Sequence, residues 1–461
     1  MKIAFIPIDN RPICYDIIKD ILSINSNIEL FMPDIKYLGG LRKSADIDNI
    51  FEFIKKLDKI DYFIVCLDTL AYGGLIPSRR VGDSFDEIKK RILKFRESVG
   101  SKCSKILAFS SIMRISNNNI NEEEKTYWDK YGKKIFNWSY YSHKNNTDKL
   151  PLDVPFEIIQ DYLETRKRNF EINKFYLELA KENFFDTLIF SKDDCAKYGL
   201  NIKEAEILED LAQKNALSNV FIKTGADEIP LSLLTRALAY NKNIKINPLF
   251  LEKDSIGLIS KYEDVSIKDC VLSQISLANL EVDKNAKLTF LINNFQKEQG
   301  DLVLGNRINL IKKEVNFPSQ PYLVADVNNA NGADCNFINQ LFKQNFDNLY
   351  SYCAYNTSAN TIGCAILIAV VKYLSMIDNS YNELAFKKIL FIRFLDDWVY
   401  QAVVRKSIRE SKIDYNLALS EKIDELNKYS KKISKFLNYY PQKIEYSLPW
   451  NRSFEIRIKL Y

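Results

Sequence analysis

The sequence of 461 residues is short of the side chains that several common enzyme classes use. Its one histidine, His143, lies in the polar stretch SYYSHKNNTDK, which predicts a loop. A Ser-His-Asp or Cys-His arrangement would have to use that residue, so we expect any chemistry to depend on carboxylates. The eight cysteines include no CxxC pair and no close spacing typical of a zinc site or a disulfide framework. This pattern favours reduced thiols and a cytoplasmic protein.

The sequence also lacks a long hydrophobic run and a strong excess of one charge. The longest apolar stretch, residues 362–371, is about half the length needed to cross a bilayer and predicts a buried helix. The start, MKIAFIPIDNRP, places Pro and Asp where a secretory signal needs unbroken apolar residues, so we expect no export signal. The 65 Lys+Arg and 60 Asp+Glu residues give a net charge of +5, and the lysines are scattered along predicted helices. Neither a membrane nor a nucleic acid is therefore expected as a partner.

Strand-like and helix-like segments alternate along the chain, which predicts right-handed crossovers and a mainly parallel sheet. About eight strands are predicted up to residue 260, enough to close a barrel. The last two are residues 244–247, stopped by Pro248, and residues 255–260. We expect an α/β protein that is TIM-barrel-like over residues 1–265, with a second α/β or helical lobe over residues 266–461. Tandem Rossmann-like parallel sheets are the alternative.

Two segments depart from this alternation or carry unusual charge. Residues 116–150 are rich in Asn, Glu, Lys, Tyr and Trp, and we expect an insertion over the active face. Residues 387–407 predict one helix, which carries the sequence DDWVYQ at 396–401.

Acidic residues recur where the predicted strands end. Asp193 and Asp194 lie just past the apolar run TLIF at 187–190, and two adjacent carboxylates repel, so one of them tends to keep its proton nearer neutral pH. A single strand-end aspartate would more often cap the next helix, but the arrangement recurs. Residues in such positions are Asp9, Asp68, Asp193, Asp227, Asp326 and Asn356. One shared polar pocket explains this recurrence better than separate caps do.

Arginines at the same strand ends predict a pocket of mixed charge. Paired Asp and Arg side chains can hold the neighbouring hydroxyls of a sugar or a phosphate, although the arginines would alternatively serve only to neutralise the aspartates. The predicted catalytic residues are Asp193, Asp194, Asp227 and Glu228. The predicted substrate-binding residues are Asp9, Asn10, Arg11, Asp68, Tyr72, Arg79, Arg114, Tyr198, Asp326, Asn356 and Asn360.

Several stretches together resemble a bacterial family known as domain of unknown function 4127, over nearly the whole chain. They are IDNRP at 8–12, DTLAYGGLIPSR at 68–79, SSIMR at 110–114, KDDCAKYGL at 192–200, TGADE at 224–228, YNTSANTIG at 355–363 and DDWVYQ at 396–401. Ala354-Tyr355 stand where the family has Gly-Trp, so an aromatic platform remains. The resemblance implies no activity, only that these positions converge on one site.

The Asp193-Asp194 pair is also similar to the strand-end carboxylate pair of family 84 glycoside hydrolases, which are β/α barrels. That similarity implies that Asp193 orients the acetamido group of the sugar and that Asp194 is the general acid.

Three functions follow as hypotheses. The first is a glycosidase-like, carbohydrate-active hydrolase that takes a small-molecule or oligosaccharide substrate, needs no cofactor and uses strand-end carboxylates as acid and base. The second is a hydrolase of a sugar or phosphorylated small molecule that holds Mg²⁺ or Mn²⁺ through Asp9, Asp68 and Asp227, because hard oxygen ligands suit these ions. The third is a sugar-binding protein without catalysis. The oligomeric state stays open.

Overall fold

Short β-branched and aromatic runs form the strands, and amphipathic segments between them form the helices. The computed structural model describes residues 1–147, 149–151, 153–193, 195–307 and 314–461. The strands are β1 (Lys2–Ile6), β2 (Glu29–Phe31), β3 (Ile60–Cys66), β4 (Cys103–Ile112), β5 (Thr187–Lys192), β6 (Val220–Thr224), β7 (Lys245–Phe250), β8 (Glu281–Val282), β9 (Leu288–Asn293), β10 (Gly300–Asp301), β11 (Tyr322–Asp326), β12 (Asn329–Ala330), β13 (Leu349–Cys353), β14 (Ile444–Ser447) and β15 (Arg457–Leu460).

The helices begin at recognisable caps where the sequence supplies them. Ser84 and Glu87, for example, form a capping box at the start of α4. The helices are α1 (Asp16–Leu22), α2 (Ile47–Lys55), α3 (Leu67–Tyr72), α4 (Phe85–Val99), α5 (Trp128–Asn145), α6 (Phe156–Lys181), α7 (Leu200–Lys214), α8 (Ile229–Leu238), α9 (Ile267–Leu277), α10 (Cys335–Leu341), α11 (Ser358–Ile377), α12 (Glu383–Arg393), α13 (Arg405–Arg409), α14 (Tyr415–Ser420) and α15 (Ile423–Leu437). A π-helix, Phe394–Val404, joins α12 to α13.

The chain divides into two compact units. The first contains Met1–Tyr15 and Glu29–Pro230, and the second contains Asp16–Ile28 and Leu231–Tyr461. The boundary expected near residue 265 therefore falls inside the second unit. Helix α1 also belongs to the second unit, where it packs against α11 and α12.

The first unit is built on a six-stranded parallel sheet with the order β2-β1-β3-β4-β5-β6. The expected α/β class with mainly parallel sheets is confirmed. Strands β2 and β6 each pair with one neighbour, and no pairing between them closes a barrel in the described part of the chain. The chain reverses its winding direction between β1 and β3, which in doubly wound sheets is the point where ligands bind beyond the carboxyl ends.

The second unit repeats this winding in a five-stranded parallel sheet with the order β13-β11-β9-β7-β8. Read from β8, the order has the same pattern as β2-β1-β3-β4-β5, so the reversal falls between β7 and β9. This is the arrangement of the alternative expectation, tandem parallel sheets.

Two predictions about the strands before residue 265 are wrong. Pro248 does not stop a strand, because β7 runs through it to Phe250. β8 pairs only with Lys245 and Ile246, so beyond them β7 is at the sheet edge on that side, and a missing N–H there breaks no ladder. Residues 255–260 are not a strand: the 3₁₀-helix Lys253–Ser255 and turn bonds occupy this segment.

Two predictions about helical content are also corrected. His143 lies in α5 rather than in a loop, since the insertion after residue 116 contains that 18-residue helix. The segment predicted as one helix over residues 387–407 is α12, the π-helix and the start of α13.

Helix α11 confirms the expected buried apolar helix, which extends well beyond residues 362–371. It passes the length and composition test for a membrane span, but 78% of that window is buried inside the protein. It packs on β11 and β13, so it is the core helix of the second unit.

Candidate functional site

The loops that follow β1 and β3 flank the reversal point of the first sheet. Asp9 follows β1, and Asp68 lies in α3, directly after β3. The hydroxyl of Thr69 donates to the carbonyl oxygens of Pro7 at 2.6 Å and Ile8 at 3.1 Å, which fixes the two loops to each other. The strand order therefore brings these two carboxylates to the edge where such a sheet holds ligands.

Arg11 joins the carboxylates after β1 and β6. Its Nε donates to both oxygens of Asp9, at 3.0 and 2.9 Å. Its Nη1 and Nη2 donate to the two oxygens of Asp227, at 3.0 and 2.7 Å. All three side chains are buried. Paired bonds of this kind are the strong form of a guanidinium–carboxylate contact, so Arg11 fixes the spacing of the two aspartates.

Asp68 is buried and held by the end of β4. Its carboxylate accepts from the Ser111 backbone N–H at 2.8 Å and the Ser111 hydroxyl at 2.7 Å. The Ser110 hydroxyl lies 3.4 Å away. Burial raises the pKa of Asp68 to about 6, although the serine donors and Arg79 lower it. This carboxyl therefore changes between its protonated and ionised forms just below neutral pH.

Arg114 links Asp193 to the insertion. Its Nη1 lies 3.3 Å from the Asp193 carboxylate, and its other nitrogens contact Glu123 at 2.7 Å and Glu124 at 3.1 Å. Arg80 holds the backbone of this acidic segment, because its guanidinium donates to the carbonyl oxygens of residues 121, 122 and 124. The insertion thus supplies two carboxylates to the charged cluster.

Arg79 is the most deeply buried of these arginines, at 2% exposure. Its Nη1 donates to Glu124 at 2.6 Å. Its Nε and Nη2 have no hydrogen-bond partner in the described part of the chain, although Nη2 is 3.9 Å from Glu123. Its positive charge lowers the pKa of both Asp68 and Asp193. Arg79 therefore acts electrostatically on the carboxylates after β3 and β5.

The Asp193 side chain remains partly accessible to solvent, and its pKa is raised. Its side chain is 16% exposed. Burial raises the pKa of Asp193; Arg114 and Arg79 oppose the shift, and the charges of Asp227 and Glu123 add to it. A carboxyl with a raised pKa at a strand end is suited to carry a proton to a substrate. Asp194, the predicted general acid, lies outside the described residues.

Glu228 makes a structural contact, and its catalytic role stays a prediction. It is fully buried, and its carboxylate accepts from the Ala226 backbone N–H at 3.1 Å. It folds over Gly225, which has φ of +107°, and a Cβ there would lie 1.7 Å from Oε1 of Glu228. Glu228 therefore shapes the turn that carries Asp227.

Two predicted aromatic contacts belong to packing in the structure. Tyr72 is part of the hydrophobic core of the first unit and has the Arg168 guanidinium over its ring at 5.3 Å. Tyr198 packs edge-on against Tyr140 and His143. The Tyr72 ring is packed into this core and is 3% exposed, so its contacts in the structure are with the protein.

The remaining predicted residue of the first unit is Asn10. It lies between Asp9 and Arg11, is partly exposed, and its backbone N–H donates to the Gly39 carbonyl at 3.1 Å. It stays a substrate-binding prediction.

Asp326, Asn356 and Asn360 belong to the second unit, at the carboxyl ends of β11 and β13. Asp326 is fully buried and accepts hydrogen bonds from the side chains of Asn293 at 2.8 Å and Tyr352 at 2.9 Å. Asn360 is buried, and its Oδ1 has no partner among the described residues. One pocket shared with the aspartates of the first unit stays a prediction.

The buried carboxyl of Asp326 makes stability depend on pH. Burial, followed by the charge of Asp334, raises its pKa to about 7. The folded state therefore binds this proton more tightly than the unfolded state, so the stabilisation is complete below about pH 4 and is lost as pH rises through 7. The Asp326→Asn variant lacks this titrating carboxyl. The amount by which its free energy of unfolding falls below that of wild type should therefore shrink by roughly 2 to 4 kcal/mol from pH 4 to pH 8.

Urea unfolding of both proteins across this range measures the effect. The exposed Asp254→Asn serves as the control, because it makes the same change at a surface position. A deficit of Asp326→Asn that stays constant or grows with pH would contradict the assignment.

Sequence reasoning missed several members of these clusters. Glu123 and Glu124 lie in the insertion that was expected over the active face. Their acidic run, NEEEK, could have suggested partners for the arginines of the site. In the second unit, Arg393 donates to Asp396 at 2.8 Å and to Asp397 at 3.0 Å. The motif DDWVYQ pointed to Asp396 and Asp397, but it did not predict that Arg393 would bind them.

The residues suggested for Mg²⁺ or Mn²⁺ already accept bonds from protein donors. Arg11 holds Asp9 and Asp227, and Ser111 holds Asp68. Among the residues the structure describes, no group of three or more His, Cys, Asp or Glu side chains is arranged to hold a metal ion.

Together, these features define a two-unit, doubly wound α/β protein with a cluster of alternating Asp, Glu and Arg side chains at one strand-end edge. The sequence model of the family described as "Protein of unknown function (DUF4127)" matches residues 3–459, so the chain belongs to this family. Neither the curated proteins nor the solved structures contain a match.

Proposed function

We propose that this protein is a carbohydrate-active hydrolase whose strand-end carboxylates in the first unit act as acid and base. The observation that carries the proposal is Asp193, a partly exposed carboxyl after β5 whose pKa is raised by burial. Glycoside hydrolysis needs one carboxyl that is protonated near neutral pH and a second that is ionised. Asp227, which Arg11 holds in a paired contact, lies near enough for its charge to raise the pKa of Asp193 and is the candidate for the second.

The arginines support a substrate rich in hydroxyl groups. Arg114 contacts Asp193, and Arg79 has two nitrogens without hydrogen-bond partners in the described residues. Charged donors and acceptors that alternate in this way match neighbouring sugar hydroxyls. The proposed substrate is therefore a small glycoside or an oligosaccharide, and the reduced-thiol pattern supports a cytoplasmic setting.

A second candidate is a sugar-binding protein without catalysis. It is favoured by Arg11, whose hydrogen bonds already occupy the oxygens of both Asp9 and Asp227, the carboxylates that would otherwise activate water. Saturable binding of a sugar with no release of reducing ends would support this function over the hydrolase.

Hydrolysis should survive removal of metal ions. The purified protein is incubated with a panel of oligosaccharides and aryl glycosides, with and without EDTA, and the release of reducing ends or aryl alcohol is measured. We expect the rates to agree within about twofold, because positioned carboxyl groups supply the proton transfers. Complete loss in EDTA that Mg²⁺ or Mn²⁺ restores would instead favour the metal-dependent hydrolase.

A further inference from the structure

The acidic segment of the insertion, which carries Glu123 and Glu124, is anchored on both sides to the rest of the first unit. The Arg80 guanidinium donates to three backbone carbonyl oxygens of this segment. Directly after it, the Lys125 ammonium group donates to the Asp161 carboxylate of α6 at 2.8 Å. The two glutamate side chains therefore project from a backbone that is held in place.

Glu124 is buried, and two arginines share one of its oxygens. Oε1 accepts from Nη1 of Arg79 at 2.6 Å and from Nε of Arg114 at 3.1 Å. The Ser116 hydroxyl donates to the same oxygen at 3.1 Å. Because Glu124 is only 4% exposed, solvent screens these contacts weakly. Glu124 therefore fixes the two guanidinium groups relative to each other.

Glu123 and Asp193 contact the two terminal nitrogens of the Arg114 guanidinium group. Nη2 donates to the Glu123 carboxylate at 2.7 Å, whereas Nη1 lies 3.3 Å from the Asp193 carboxylate. Together with the 3.1 Å contact of Nε with Glu124, these distances place Arg114 closer to both glutamates than to Asp193. Most of its hydrogen bonding is therefore directed towards the insertion.

The cations that face Asp193 are thus shared with carboxylates of the insertion. Burial raises the pKa of Asp193 most; Arg114 and Arg79 lower it, and the charges of Asp227 and Glu123 add to the increase. Asp227 reaches this point from the end of β6, and Arg79 from the turn after α3. Since the two arginines are already offset by the two glutamates, an ionised Asp193 would add net negative charge to the cluster.

We propose that Glu123 and Glu124 are positioning residues that keep Asp193 protonated until a substrate takes the proton. They act through Arg79 and Arg114, whose positions they fix and whose charges they offset. The insertion thereby sets the pH range in which the site can donate a proton. This inference rests on the proposed function for the reaction that uses the proton, but the protonation of Asp193 can be measured by itself.

Titration of the Asp193 carboxyl tests the inference without a substrate. The full chain is labelled with ¹³C at its aspartate carboxyl carbons, and the Asp193 signal is identified by its absence from Asp193→Asn. Glu124→Gln keeps the size and an oxygen acceptor but removes the charge, so the pKa of Asp193 should fall by roughly one unit. Glu97→Gln makes the same change at an exposed position of α4 and should leave that pKa unchanged.

Glu124→Asp separates the charge of this residue from its packing. The variant is one methylene shorter but keeps the negative charge, so the pKa of Asp193 should stay closer to the wild-type value than in Glu124→Gln. If Glu124→Gln does not fold, Glu123→Gln replaces it, because that side chain is 22% exposed and its charge acts on Asp193 in the same direction. An unchanged pKa of Asp193 in the folded glutamine variant would overturn the inference.

The pH dependence of hydrolysis connects the inference with the proposed function. On a glycoside with a poor leaving group, the decline of kcat/KM at high pH reports the proton donor of the free enzyme. In the glutamine variant this decline should move to lower pH by the same amount as the titration. A loss of rate that is equal at every pH would overturn the inference. A wild type that hydrolyses no glycoside would overturn the proposed function, whereas the titration alone decides whether the glutamates keep Asp193 protonated.

Discussion

Arg11→Ala is expected to lower the free energy of unfolding by about 3 to 5 kcal/mol, because it removes one cation that holds two buried carboxylates. After the change, Asp9 and Asp227 remain buried without their shared donor. The unpaired charges, rather than the lost attraction, account for most of this cost. Denaturant unfolding followed by circular dichroism measures it.

Two further variants show whether burial of the charge is the cause. Arg96→Ala removes an arginine of the same unit from an exposed ion pair with Glu182 and should cost at most about 1 kcal/mol. The triple change Asp9→Asn, Arg11→Met and Asp227→Asn removes all three charges and should recover most of the stability that Arg11→Ala loses. A cost for Arg11→Ala no larger than that of Arg96→Ala would show that the cluster is not buried as described.

Asp193→Asn is expected to reduce hydrolysis of a glycoside with a poor leaving group by roughly two to four orders of magnitude, the usual contribution of a positioned proton donor. The amide keeps the size of the carboxyl, so the fold should be retained. An activated aryl glycoside needs little protonation and should be affected far less. The rates of both substrates are compared for wild type and variant.

The exposed Asp210→Asn in α7 is the matched control and should hydrolyse both substrates at the wild-type rate. Equal losses on both substrates would contradict proton donation by Asp193. Such a result would instead fit the orienting role that similarity to the family 84 hydrolases implies, with Asp194 as the acid. Asp194→Asn, tested on the same pair of substrates, separates the two assignments.

The sequence was sufficient to predict that Asp9 and Asp227 would meet, although 217 positions separate them. The carboxyl ends of parallel strands share one edge, so each strand-end aspartate is directed there by its strand. The pattern of strand-end aspartates did not predict that Arg11 would bind both carboxylates. That contact depends on the order β2-β1-β3-β4-β5-β6, which periodicity along the chain does not specify.

Burial within short segments was less predictable. The sequence DTLAYGG reads as a strand-end loop, but α3 forms there and buries Tyr72 in the core. The π-helix was also hidden, because the apolar spacing of residues 394–404 fits an α-helix equally well over so short a length.

Pro248 illustrates the limit set by sheet edges. Proline normally ends a central strand, but the neighbour of β7 on one side, β8, is only two residues long. Whether one side of a strand is unpaired depends on the tertiary structure. The sequence around Pro248 therefore could not show that a proline would be tolerated there.

The location of the bound sugar tests the central claim most directly. Crystals of Asp193→Asn, which should bind substrate without cleaving it, are soaked with the glycoside that the wild type hydrolyses fastest. We predict electron density for the sugar within hydrogen-bond distance of residue 193 and of Arg114 or Arg79, at the carboxyl ends of β4 and β5. A sugar bound only in the second unit, or at a surface away from these strand ends, would contradict the account.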